Sequence, residues 1–223
     1  KYLSSRLLKK LQKNFPRFNN KKTNYSIMKL TKQKLYRLIE QVMLTEAAKE
    51  IQDIPEGYHV VCMKIGDGEF RISLDAIDWD GGENLGYIEF GNIPVDKQGN
   101  CYGAMKIIMT RAKHGWGPFL YDLVMEKASI EARGIVPDRN IVSFSARKVW
   151  KYYLDNRMND IHIRQLDDLN DSFKDGPRND CSQDSSRDQM GQDWVRSPLS
   201  KIYSKPPTTI EALKKLGKWT ELN

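Results

Sequence analysis

The sequence predicts an α/β domain of the α+β kind, a mixed and mostly antiparallel sheet flanked by helices and preceded by a basic helical arm. Three observations carry this expectation. After Gly57 the apolar spacing changes from a helical period to an extended one. Four extended runs then follow one another across short turns, and a glycine-containing turn delivers the chain into an amphipathic helix. Antiparallel neighbours need only short connections, so four strands in direct succession read as a meander.

Taken in order, Leu3, Leu7, Leu8, Leu11 and Phe15 recur at helical spacing among Lys and Arg until Pro16 ends the pattern. Met28 opens a second unit, in which Thr31 can cap a helix and Leu35, Leu38, Ile39, Val42 and Met43 form one apolar stripe. This unit reads like a protein start, which makes residues 1–27 either an extension or sequence translated from upstream of the natural initiation site. Strands are expected over 58–64, 69–77, 84–90 and 101–110. They are separated by Gly66, Asp67 and Gly68, then by Asp80, Gly81 and Gly82, then by residues 96–100. The fourth runs through Arg111, Ala112, Lys113 and His114 into Gly115, Trp116, Gly117 and Pro118. A helix over 119–133 follows, with Phe119, Leu120, Leu123, Val124 and Ala128 as its stripe.

Beyond it, residues 134–140 have room for one short strand, 143–156 read as a second helix and 160–166 as a strand. Residues 167–193 hold eight Asp against three Lys or Arg and read as a long surface loop. A last strand is expected over 200–204, and Thr208 with Glu211 has the spacing of a capping box for a C-terminal helix. The predicted organisation is an arm over 1–27, one domain over 28–205, and a C-terminal helix over 206–223 packed on that domain.

Composition narrows the function classes. No apolar run approaches the ~18 residues of a membrane-spanning helix, which argues against a membrane span. The net charge of +7 is unevenly placed: residues 1–38 hold twelve Lys and Arg with no Asp or Glu, leaving 24 basic against 29 acidic residues in the rest. The basicity therefore belongs to the arm, whose readings are a targeting peptide, an arm that binds a phosphate surface, a docking helix for a protein partner, or a helix that packs on the body or frays. A nucleic-acid-binding module would have to bind through it. Cys62, Cys101 and Cys181 are odd in number and lack CxxC spacing, which supports neither a disulfide scaffold nor a zinc ribbon and favours a reducing interior. His59, His114 and His162 are isolated, so no metal site is expected.

The informative segment is the strand–turn–helix junction over 111–118. A helix start aims unbonded N–H groups and the positive end of the helix dipole at one spot, which is a ready anion site. Gly115 and Gly117 let a phosphate approach the backbone, Pro118 suits the first helical turn, and Arg111 and Lys113 add charge. His114, beside the turn, suits contact with phosphate or solvent. The dinucleotide fingerprint fails because Leu120 stands where a third small residue is needed, and no Gly-Lys-Ser/Thr follows to make a P-loop.

The order of elements over about residues 30–204 resembles the GNAT superfamily of acyl-CoA-dependent N-acetyltransferases. The stretches GWGPFLYDLVMEKA, ARKVWKYYLDNR, IRQLDD and SPLSKIYSKPPTTIEAL, with the start MKLTKQKLYRLIEQ, are similar to GNAT-like proteins encoded by tailed bacteriophages. The resemblance implies acetyl-CoA as cosubstrate. Backbone groups of Ile107, Ile108 and Met109 would face the pantetheine and the acyl carbonyl, and the turn from Arg111 through Lys113, His114, Gly115, Trp116, Gly117 and Pro118 would hold the diphosphate. In the family pattern Gln/Arg-x-x-Gly-x-Gly/Ala the first place falls on Ala112, with Arg111 one residue early. Where many relatives carry an acidic Tyr on the second helix this chain has Trp150, and Tyr153, three residues on, is the candidate to protonate the leaving thiolate. For the proton of the attacking amine, Glu89 is the candidate, with Asp75 and Asp78 as topological alternatives. The resemblance thus implies acetyl transfer to a primary amine, on a protein or a small metabolite, by direct attack. It leaves open a catalytically inactive phage structural or interaction protein, and in either case a place in the host cytoplasm or with the virion.

Overall fold

The computed structural model describes residues 48–77, 84–93, 101–167 and 181–222, all within one compact unit that begins at Ile39. The basic arm, the Thr31-capped helix, Asp78, the turns at 80–82 and 96–100, and residues 168–180 of the acidic stretch lie outside the described residues.

The four-strand meander is present: β1 (Tyr58–Gly66), β2 (Glu69–Ala76), β3 (Gly86–Asn92) and β4 (Met105–Ala112), each antiparallel to the next. Then come α1 (Trp116–Glu131), β5 (Ile135–Val136), α2 (Phe144–Asn156) and β6 (His162–Gln165). They are followed by α3 (Asp184–Met190), β7 (Lys201–Ser204), α4 (Thr208–Lys215) and β8 (Trp219–Leu222). These strands form one mixed sheet in the order β6-β7-β5-β4-β3-β2-β1-β8, antiparallel except where β4 meets β5 and β1 meets β8.

Alternation along the strands puts Val60, Cys62, Ile72, Leu74, Ile88, Phe90, Met105 and Ile107 into one buried cluster with the α1 stripe of Phe119, Leu120, Leu123, Val124 and Ala128. Ser143 starts α2 as its cap, accepting from the Ala146 amide at 3.2 Å. The helix adds Trp150, whose ring lies 4.7 Å from that of Tyr203 and edge-on to Tyr121. A second, smaller cluster gathers Ile93, Cys101, Ala104, Val136, Leu166, Cys181 and Ile202 around β5 and β7.

Four expectations are corrected. Cys101 and Cys181, 80 residues apart, are joined in a disulfide, a pairing that odd cysteine number and lack of motif spacing conceal. The acidic stretch is not all loop, since α3 lies within it and buries Ser185 and Ser186. The capping box of α4 does not form: Pro207 occupies the cap, and the Glu126 carboxylate reaches from α1 to accept the Thr209 and Ile210 amides at 2.9 and 2.8 Å. A fully buried carboxylate at a helix start satisfies orphan donors and the dipole together. Finally, 206–223 is more than a helix, because β8 extends the sheet beside β1. Among the described residues no helix is long and apolar enough to cross a membrane.

Candidate functional site

β4 and β5 run parallel but are paired only through Met105 with Ile135 and Lys106 with Val136. Pro137 follows at once and has no N–H for a ladder, while β4 continues to Ala112. From Ile107 onward, among the described residues, β4 therefore has a strand neighbour only on its β3 side. Even there the register slips: Phe90 lies opposite Ile107 and Glu89 opposite Met109, so Ile108 is the extra residue of a bulge. Ile108 and Met109 are 40% and 44% exposed, large apolar side chains left uncovered along the strand.

Gly86 fixes where this strand ends. It has φ +152, and a Cβ there would stand 2.7 Å from the Ala112 Cα and 2.8 Å from the Arg111 carbonyl oxygen. The Lys113 amide donates to the Leu85 carbonyl at 2.9 Å, and Trp116 N–H to the Lys113 carbonyl at 3.1 Å. Gly115, left-handed at φ +87, is the cap of α1. The amides of His114, Gly115 and Gly117 donate to no acceptor among the described residues. Trp116 is buried edge-on against Phe119, and Arg111, Lys113 and His114 are exposed. A Cβ on Gly117 would meet nothing within 4 Å. The junction is thus an open helix start with spare donors and three basic side chains, next to the uncovered edge of β4.

Glu89 is brought to this place by register, directly across from Met109 at the bulge. Arg71 on β2 holds its carboxylate, with Nε 3.0 Å from Oε1, and the guanidinium lies over the Tyr87 ring at 4.8 Å. The Tyr87 hydroxyl in turn donates to Met109 Sδ at 3.4 Å. Asp75 is further off, two strands from β4, and accepts from the Ser73 hydroxyl at 2.5 Å.

Tyr153 is fully buried. Its hydroxyl is 2.8 Å from Asp122 Oδ1 and 2.9 Å from the Pro118 carbonyl oxygen. Burial, reinforced by the Asp122 charge, raises it well above its ordinary value near 10. So placed, it ties α2 to the first turns of α1.

Sequence reasoning missed two polar clusters. In one, Asp122 also takes Arg157 at 2.9 Å and Lys205 at 3.7 Å, and Lys205 reaches on to Glu126. Asp122, Arg157 and Lys205 border a cavity of about 520 Å³ that Lys49, Pro118 and Tyr152 also line. The only sequence signal was Asp122 and Glu126 at i, i+4 on an otherwise apolar helix face. In the other, buried Arg139 donates to the carbonyls of Ser182 at 2.9 Å, Leu199 at 2.7 Å and Pro137 at 3.4 Å, and to Gln183 Oε1 at 3.1 Å. Burial pulls its guanidinium down to about 10 against the opposing pull of Asp167, Asp138 and Asp184. No group of three or more His, Cys, Asp or Glu side chains among the described residues is placed to hold a metal ion. Comparison of this chain with models of protein families, with curated proteins and with solved structures finds no match in any of the three.

Proposed function

We propose that this chain is an N-acyltransferase of the GNAT type that moves an acetyl group from acetyl-CoA to a primary amine. The observation that carries this reading is the parting of β4 from β5 immediately before a helix start with unspent donors. A thioester arm needs a slot with backbone donors along one side, and its diphosphate needs a cluster of N–H groups with nearby cations. The free edge of β4 at Ile107, Ile108 and Met109 offers the first. The turn from Arg111 to Pro118, by way of Gly115 and Gly117, offers the second.

In the reaction the neutral amine nitrogen attacks the thioester carbonyl carbon, with strand N–H groups taking up the negative charge on the carbonyl oxygen. The C–S bond then breaks, and the thiolate leaves and takes a proton from solvent. Glu89, oriented by Arg71 beside the bulge, accepts the proton lost by the amine. Tyr153 in this account is a positioning residue that fixes α2 against Pro118. Phage association, and a place in the host cytoplasm or with the virion, belong to this proposal through sequence resemblance alone.

A second reading, a non-catalytic phage structural or interaction protein on the same fold, is favoured by the burial of Tyr153 and Trp150, which takes the expected acid position on α2 away from solvent. Calorimetric titration of acetyl-CoA into wild type and Gly117→Glu tests the proposal. Binding in wild type and its loss in the variant are expected, and no wild-type binding at millimolar ligand overturns it. Acetyl transfer to any member of an amine panel would eliminate the second reading.

A further inference from the structure

At the base of the opening, β4 and β5 touch through two residue pairs and the Met105 amide, which donates to the Gly134 carbonyl at 3.0 Å. What else holds them is a strap formed by residues 181–200. On the β5 side the strap is fastened twice to Arg139, four residues past Ile135, through the carbonyls of Ser182 and Leu199. The Ser185 amide also donates to the Arg139 carbonyl at 3.0 Å. On the β4 side its covalent fastening is the disulfide from Cys181 to Cys101, which lies in the turn Cys101–Gly103 just before β4. Besides that bond, the small second cluster and the Lys106–Asp138 pair at 3.9 Å also act at the β4 end.

We propose that the Cys101–Cys181 disulfide is a redox-operated clamp: oxidised, it locks the base of the β4/β5 opening, and reduced, it lets β4 part from the strap while β5 stays fastened. Only its consequence for acetyl-CoA rests on the function proposed above. Opening is thiol–disulfide exchange with a dithiol. A thiolate of the dithiol attacks one sulfur, its second thiolate resolves the mixed disulfide, and Cys101 and Cys181 take up two electrons and two protons while the dithiol becomes a cyclic disulfide. A small-molecule disulfide reverses the step. Both cysteines are buried, so exchange awaits a local lifting of the strap, which reduction then makes persistent.

The test is hydrogen exchange by mass spectrometry on oxidised protein, dithiol-reduced protein and Cys101→Ser/Cys181→Ser. A thiol count in denaturant comes first. Before reduction it should find one thiol, Cys62, which burial pushes up to about 11 in the folded chain, and after reduction three. Three thiols before reduction would overturn the proposal. Reduction and the double variant should each speed exchange over 101–107 and 181–200 by about 30-fold or more, the low end of a disulfide's usual contribution at tenfold per 1.36 kcal/mol. β2 and β3 should stay unchanged. Unchanged exchange at the strap overturns the clamp, and so does global loss of protection, which would make the bond a general staple. Acetyl-CoA titrated into both forms should bind the oxidised one more tightly. Absence of binding to either form would sink the acyltransferase reading and leave the exchange result to decide the clamp.

Discussion

The two sides of β4 hold the sheet together by different means. Toward β3 the strand is paired along its length, and beneath it an apolar cluster interlocks with α1. Toward β5 it is paired at two residues. There a small cluster, a disulfide and a buried arginine take over. The difference teaches what a parted sheet requires. Where the ladder is continuous, backbone groups satisfy one another and side chains need only fill space. Where strands separate and the chain turns through 181–200, carbonyls lose ladder partners, and the guanidinium of Arg139 supplies donors to Pro137, Ser182 and Leu199 instead.

The sharpest way to break this contrast is Arg139→Met, which conserves length and much of the volume. It leaves the buried Pro137 and Leu199 carbonyls, the half-buried Ser182 carbonyl and Gln183 Oε1 without that donor, and the expected loss is about 3–5 kcal/mol in denaturant unfolding, the range seen when one partner of a buried charged network is removed. A loss below about 1 kcal/mol would mean that the polar side is held by its apolar residues after all.

This contrast also explains what was legible in advance. The meander, α1 and the stripe ending at Ala128 follow from local periodicity, because each residue's burial there is set by neighbours two, three or four positions away. The turn at Gly115 and Gly117 was equally local. Arg139, Lys205 and the disulfide were not legible. Their long-range partners lie 43 to 83 residues away and are mostly backbone carbonyls or carboxylates, which no sequence pattern marks. Tyr153 was correctly placed on α2, but its helical phase turns it into the packing between α1 and α2, against Asp122. The bulge at Ile108, which brings Glu89 opposite Met109, depends on how β3 and β4 register and leaves no trace in composition.

Tyr153→Phe comes next in expected size, about 1–2 kcal/mol near neutral pH from the lost hydrogen bond, since Arg157 and Lys205 still serve Asp122. Its pH dependence is more telling. The folded value lies well above the unfolded one near 10, so the folded state keeps its proton longer; stability is complete below about pH 10 and falls as pH rises toward the folded value. Removing the hydroxyl should make the alkaline decline shallower by up to about 1.4 kcal/mol per pH unit. Unfolding curves of wild type and variant between pH 9 and 11.5 decide it, and parallel declines would show that the hydroxyl is not sealed from solvent. On the apolar side, Leu123→Met keeps volume and hydrophobicity and should cost under about 1.5 kcal/mol by the same measurement, a fraction of the Arg139→Met effect. Equal losses would erase the distinction between the two sides.

The smallest expected change in stability is at Gly117, and that smallness gives the acetyl-CoA titration its meaning. The residue lies in the first turn of α1 without a left-handed φ, and an added Cβ meets open space. Gly117→Ala should therefore be neutral or stabilise by about 0.4–1 kcal/mol, through the lower entropy of its unfolded chain. Gly117→Glu should likewise fold, since a carboxylate near a helix N-terminus is favoured by the dipole. A glycine kept only for backbone geometry would make both substitutions costly in thermal melts. If both variants melt like wild type and only the glutamate abolishes acetyl-CoA binding, the effect is charge placed where the diphosphate should sit, because the same negative side chain that suits the helix start repels an anion bound there.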